Sequence, residues 1–180
     1  MTVPSRVLRS PDDLVQAGLA PAGRLEALAR VAERYAVAIT PGIAELALAD
    51  PDGPVARQFV PSVAELATAP EELADPIGDD AHSPVPGIVH RYPDRVVLKA
   101  THVCAVYCRF CFRREMVGPG KARALSDAEL DRALAYVAAR PEIWEVILTG
   151  GDPLVLSPRR LAGIGARLAA IEHVRIVRFH

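Results

Sequence analysis

Every cysteine of the chain lies in one stretch, THVCAVYCRFCFRR from Thr101 to Arg114, as Cys104, Cys108 and Cys111. Three thiols spaced C-x3-C-x2-C can hold three irons of an iron–sulfur cubane and leave the fourth iron without a protein ligand. That open iron is where chemistry is expected. Zinc is the competing use, with His102 two residues before Cys104 as a fourth ligand, although zinc sites usually pair their ligands on two separated hooks. An odd number of clustered cysteines makes a poor disulfide framework, which agrees with a reducing, cytoplasmic setting.

Two further stretches carry chemistry-bearing residues. In Gly150-Gly151-Asp152 the glycines let backbone approach a ligand closely, and the carboxylate can receive an ammonium. Alone, the same residues read as a tight turn. His90-Arg91-Tyr92-Pro93-Asp94-Arg95 is a short cationic and aromatic segment able to clamp an anion. Arg109, Arg113 and Arg114 beside the cysteines read as a solvated patch or as contacts to RNA phosphates. No wider basic stripe or aromatic platform accompanies them, so nucleic acid is not an expected partner.

The elements that must position these loops follow from periodicity and punctuation. Residues 1–90 read as a helical region followed by an extended, proline-rich connection, and 91–180 as an α/β part. Ser10-Pro11 opens a first helix that Gly18 ends, Pro21 to about Val37 has amphipathic spacing, and Thr40-Pro41 opens a third helix. This region is expected to wrap the rest without chemistry of its own. The composition of 50–90, dense in proline, aspartate and glycine, favours an extended connection. Val96 to Ala100 then forms a buried strand running into the cysteine loop. Ser126 and Glu129 make a capping box for a helix, Glu145 to Thr149 is a second strand ending at the GGD turn, Ser157-Pro158 opens another helix, and Val174 to Phe179 is a third strand. Trp144 is expected to anchor the first of these helices to the second strand.

Strand and helix alternating in this rhythm imply parallel strands. The cysteine loop and the GGD turn then both follow the carboxyl ends of strands, the edge where ligands bind in such folds. Two separately suspicious loops thus converge on one edge.

With 180 residues, 51% hydrophobic, the chain can bury a sizeable core as one domain with an appendage or as part of something larger. A net charge of −1 provides no global field for nucleic acid or an anionic membrane. No apolar run reaches the length of a membrane span, and the N-terminus lacks a signal peptide's hydrophobic centre. A homo-oligomer is compatible with the sequence. Lys99 and Lys121 are its two lysines.

An open iron invites a ligand that chelates through an amino group and a carboxylate, and S-adenosylmethionine (SAM) has such a head. The run CAVYCRFC, with Phe110 before the last cysteine, resembles the cluster motif of the radical SAM enzymes. HSPVPGIVHRYPDR, CAVYCRFCFRR and ILTGGDPL, in that order and at these separations, resemble the lysine 2,3-aminomutase family, including relatives that act on a lysine of elongation factor P. The resemblance runs from about Ile39 to the end of the chain.

The resemblance implies the first βαβαβ units of a partial TIM-like radical SAM barrel. It implies a [4Fe–4S] cluster on Cys104, Cys108 and Cys111, Phe110 near the adenosyl group, and Gly150, Gly151 and Asp152 around the methionine amino group. It also implies pyridoxal 5′-phosphate contacted by Arg91, Tyr92 and Arg95, and a substrate carboxylate held by Arg113. The reaction moves an amino group from carbon 2 to carbon 3 of an amino acid, free L-lysine before the lysine of elongation factor P. An electron donor such as flavodoxin or ferredoxin is the implied partner. The family's pyridoxal lysine and the acidic residues for the substrate's distal ammonium lie past the third strand, and neither Lys99 nor Lys121 matches that lysine. The α/β part spans about 85 residues where a full barrel takes roughly 250. The expectation is therefore an N-terminal part of a longer enzyme.

Overall fold

The computed structural model describes residues 4–117 and 122–180, so Lys121 lies outside the described residues. The chain forms two compact units: Met1–Pro76 with Ala105–Gly120, and Ile77–Cys104 with Lys121–His180. They interleave along the sequence, and no single cut at residue 90 separates them.

The first unit is helical. Helix α1, Pro11–Gln16, starts at a reciprocal cap in which the Ser10 hydroxyl accepts from the Asp13 amide and the Asp13 carboxylate accepts from the Ser10 amide, each at 3.1 Å. Gly18 follows in the left-handed region at φ 79°, the stop its residue type predicts. Helix α2 spans Leu25–Arg34 and α3 spans Pro41–Ala49, with Pro41 in the first turn. Leu8, Leu14, Leu28, Ile39 and Ala44 close one core beneath them, and the backbones of Leu8 and Ile39 exchange bonds of 2.9 and 3.1 Å. A second core joins Val31, Tyr35 and Ala38 to Tyr107 and Val117 of the cysteine-bearing segment.

The proline-rich stretch is more ordered than its composition suggests. Pro54–Phe59 forms a short helix, α4, and Val63–Leu66 a 3₁₀ turn capped by Ser62 and Glu65. Pro54 at the first helical position supplies its fixed φ there, so a residue read as a breaker acts as a starter.

The second unit is a four-stranded sheet in the order β1-β2-β3-β4: Ile88–Tyr92, Arg95–Thr101, Glu145–Gly150 and Ile176–Phe179. Strands β2, β3 and β4 are parallel, joined through α5 (Asp127–Ala138) and α6 (Pro158–Ala169). The Ser126–Glu129 capping box stands at the start of α5, and Ser157 caps α6. Strand β1 corrects the sequence reading: the cationic segment before β2 is itself a strand and tight turn, pairing antiparallel with β2 through Tyr92 and Arg95. Trp144 is also corrected. Its ring N–H and backbone N–H both go to Asp94, at 3.1 and 3.0 Å, so it pins the hairpin turn.

One face of this sheet is apolar. Val96, Leu98, Ala100, Val146 and Leu148 pack with Leu130, Leu134 and Val137 of α5 and Ile164 and Leu168 of α6. Since successive side chains alternate, Arg95, Lys99, Thr101, Glu145 and Thr149 lie on the opposite face. Among the described residues no helix is long and apolar enough to cross a membrane.

Candidate functional site

The carboxyl ends of β2 and β3 meet as register partners, Thr101 opposite Gly150. Beyond them the two loops stay bonded: the Gly151 amide donates to the Thr101 carbonyl at 2.6 Å, and the Asp152 amide to the Val103 carbonyl at 3.0 Å. A Cβ on Gly150 (φ 109°) or on Gly151 would lie 2.3 Å from the Thr101 or Val103 carbonyl oxygen, respectively. Both glycines therefore let the GGD turn lie against the start of the cysteine loop. The Asp152 carboxylate accepts from the Leu154 amide at 2.9 Å, capping a short turn at Pro153–Val155. His102 turns its Nδ1 to the Ala122 carbonyl at 3.1 Å.

Cys104 closes the sheet unit's first segment, whereas Cys108 and Cys111 sit on the segment held by the helical unit. There the Tyr107 amide donates to the Ala38 carbonyl at 2.9 Å and the Arg109 amide to the Gln58 carbonyl at 2.7 Å. A turn follows in which the Cys111 amide reaches the Cys108 carbonyl at 3.2 Å. The three cysteines are not joined in disulfides. Desolvation of its sulfur pushes the Cys108 thiol up, and the neighbouring Cys111 adds to the shift. Burial likewise raises the Tyr107 hydroxyl.

The arginines of this loop differ in a way the sequence did not show. Arg109 is 4% exposed and makes a forked ion pair with Glu65, with contacts of 2.6, 3.0 and 3.1 Å. It belongs to neither a solvated patch nor an RNA surface. Its fit depends on a glutamate 44 positions away, for which no local pattern exists. Arg114 pairs with Glu72 at 3.3 Å and stacks over Tyr35. Arg113 stacks over Phe112, 4.7 Å from the ring centre. An open cleft of about 360 Å³ runs beside Cys111, lined by Leu73, Phe110, Phe112 and Arg114, with Phe110 77% exposed.

The hairpin residues stand elsewhere on the sheet. Tyr92 and Arg95 lie at the amino end of β2, with the Arg95 guanidinium 5.4 Å over the Tyr92 ring and bonded to Asp94 at 3.0 Å. The structure does not bring these two to the edge that carries the GGD turn. Hydrogen bonds from Arg95, and then from Trp144, hold the Asp94 carboxyl below its usual range. Arg91 instead reaches back to the Ile77 carbonyl at 2.5 Å and to Asp79 at 3.6 Å. Buried Lys99 approaches the same Asp79 at 4.0 Å.

Sequence reading missed Lys99 with Asp79, and Glu145, which is 1% exposed between Arg178 and Arg95. The available signal was a charged residue at an alternating position of an apolar strand. Among the described residues no three His, Cys, Asp or Glu side chains gather around a single-ion position. A cubane asks for something else, one soft thiolate on each of several irons, and three cysteines spaced C-x3-C-x2-C are a donor set suited to it.

Residues 98–178 match the radical SAM superfamily. Such a domain implies a [4Fe–4S] cluster and SAM, and the match spans both the cysteine loop and the GGD turn. More particularly, the chain is similar to lysine 2,3-aminomutases. It is 40% identical to the L-lysine 2,3-aminomutase of Fusobacterium nucleatum over 154 residues, 85% of this chain and 36% of that protein. With the enzyme of Clostridium subterminale it shares 41% over 154 residues, 85% of this chain and 37% of the relative. With that of Escherichia coli it shares 40% over 131 residues, 73% of this chain and 37% of the relative. The resemblance noted in the motifs is thus shown across most of the chain, which spans well under half the length of the relatives it matches.

Proposed function

We propose that this chain serves a radical SAM aminomutase that moves the amino group of L-lysine from carbon 2 to carbon 3 in the cytoplasm. The observation that carries the reading is the bonding of the cysteine loop's start to the GGD turn at the carboxyl edge of β2 and β3. Identity near 40% to named L-lysine 2,3-aminomutases supports L-lysine as the substrate.

In this reading Cys104, Cys108 and Cys111 would hold a [4Fe–4S] cluster, beside which SAM would bind. Gly150, Gly151 and Asp152 receive the methionine amino group. Phe110, whose ring is largely exposed beside Cys111, lies along the adenosyl group. Cluster and SAM together supply a one-electron cleavage that yields a hydrogen-abstracting radical, with the electron coming from a flavodoxin or ferredoxin. Arg113 holds the substrate carboxylate, a task suited to a planar two-pronged donor.

Pyridoxal 5′-phosphate, when bound, stabilises the substrate radical by conjugation. Stacked Tyr92 and half-exposed Arg95 on one hairpin are of a chemistry that fits its phosphate. Arg91 is a third candidate, after exchange of its contact with Asp79. Arg91, Tyr92 and Arg95 sit on the β1–β2 hairpin, away from the GGD turn, so this assignment rests on the motif resemblance and not on placement beside the cysteine loop.

Anaerobic reconstitution with iron and sulfide tests the reading. The expected result is a cubane absorption and an electron spin signal that shifts when SAM is added. A colourless protein holding one zinc would overturn it. The L-lysine assignment is tested by titrating the reduced, SAM-loaded protein with L-lysine and with L-glutamate, and a spin-signal response to glutamate alone would refute it.

A further inference from the structure

The first unit reads from sequence as a wrapper, yet it grips the cysteine loop through one side chain. Arg109 lies between Cys108 and Cys111 in the chain and spends its whole guanidinium inside the helical unit. Nε and one terminal nitrogen fork onto the Glu65 carboxylate, at 3.0, 3.1 and 2.6 Å, and the other terminal nitrogen donates to the Ala36 carbonyl at 2.6 Å. Its backbone N–H is committed too, to the Gln58 carbonyl at 2.7 Å, and its guanidinium lies 4.8 Å over the Tyr107 ring. Arg109 is 4% exposed and the Glu65 side chain 12%.

Glu65 is held in turn. Its carboxylate accepts from the Ser62 amide at 2.8 Å as the reciprocal half of the cap on the Val63–Leu66 turn. One carboxylate thus fixes both the turn and the arginine. Such a pair is costly to desolvate and repays the cost only with well-formed geometry, so removing either partner leaves a buried charge uncompensated.

We infer that Glu65 and Arg109 are a positioning pair that fixes the backbone carrying Cys108 and Cys111 for cluster binding. The inference rests on the proposed cluster and adds two residues to what holds it: neither is a metal ligand, and one comes from the region expected to carry no chemistry. A guanidinium is required because a lysine ammonium cannot fork onto Glu65 and reach Ala36 at once.

The test is the lifetime of the reconstituted cluster in the full chain under chelator challenge, followed by absorbance and by the spin signal. Four variants are compared with the unchanged protein: Arg109→Ala, Arg109→Lys, Glu65→Gln and, as a stability control in the helical core, Leu28→Ala. Partners behind metal ligands typically cost about 10–100-fold in metal retention, so Arg109→Ala should shorten the half-life by that order. Arg109→Lys and Glu65→Gln should fall between, with a broadened spin signal before any chelator is added. Leu28→Ala should lower the melting temperature and leave half-life and signal unchanged. If the unchanged protein assembles a cluster and Arg109→Ala retains it equally long, or Leu28→Ala loses it as fast as Arg109→Ala, the positioning role is refuted while the cluster reading stands. If the unchanged protein assembles none, both fall together.

Discussion

A Cβ on Gly151 would sit 2.3 Å from the carbonyl oxygen of Val103, far inside any van der Waals contact, and the obstacle is backbone that has no rotamer to change. Gly151→Ala must therefore push the GGD turn away from the cysteine loop and break the bond from the Asp152 amide to Val103. The expected cost is about 1–3 kcal/mol, the usual range for overpacking. Urea unfolding measures it, and an unchanged midpoint would mean that the two loops are not held this closely.

Each cysteine is expected to be indispensable for the cluster, although their surroundings differ. Cys108 is exposed while Cys104 and Cys111 are partly buried. Changing any one to alanine should remove the cubane absorption. Iron and sulfide analysis after reconstitution decides this, and a variant with full iron content would exclude that cysteine as a ligand.

Arg113→Ala should leave the cluster intact and weaken substrate binding by about 10–100-fold, the value of a charge-assisted hydrogen bond. A substrate titration of the spin signal reads the affinity directly. Unaltered affinity would remove Arg113 from the substrate site and leave its stacking on Phe112 as its role.

The start of α1 should carry an acid-sensitive share of stability. The Asp13 carboxyl is held below its usual value chiefly by the hydrogen bond from the Arg9 backbone, with Arg6 and Ser10 adding to it against the opposing effect of burial. A depressed folded pKa means that the contribution is complete above the unfolded value, near 4, and is lost as the pH falls through the lower folded value. Asp13→Ala should cost about 0.5–2 kcal/mol near neutrality, the range for a lost helix cap. Paired urea titrations at neutral and strongly acidic pH should show the gap between the two proteins closing in acid. A gap that stays constant would place the effect outside the carboxylate.

On the sheet face opposite α5 and α6, Arg178→Ala removes the nearest cation from Glu145, a carboxylate 1% exposed. Orphaning a buried charge completely costs about 3–5 kcal/mol. Arg95 remains 3.9 Å away and Arg178 is itself half exposed, so a smaller loss is expected, about 1–3 kcal/mol. Thermal unfolding of Arg178→Ala against Arg178→Lys tests this, since lysine keeps the charge and should recover part of the loss.

Much of the architecture was legible where punctuation is local. Ser10 with Asp13 and Ser126 with Glu129 announce helix starts by residue type at fixed spacing, and both caps form. The cysteine loop and the GGD turn were readable as neighbours because each ends an apolar run, and in a parallel sheet such ends share an edge. Strand β1 escaped notice because its turn is Pro93-Asp94 rather than an Asn-Gly or Asp-Gly pair, and the hairpin signal was absent. Helix α4 is only six residues long, too short for periodicity to speak. The fate of Arg109 was unreadable for another reason. Beside two other arginines in the chain it looks like surface, and only a partner distant in sequence makes it interior.

Trp144 is the chain's single tryptophan, and its indole N–H is tied to the Asp94 carboxylate at the turn between β1 and β2. It makes the sheet unit self-reporting: intrinsic fluorescence follows the hairpin turn with no label attached. The helical unit holds Tyr35 and Tyr107 in its core and no tryptophan, so selective excitation of Trp144 follows the sheet unit. Comparing that midpoint with the midpoint of the whole chain's far-ultraviolet circular dichroism tells whether the sheet unit melts with the rest in one transition or apart from it.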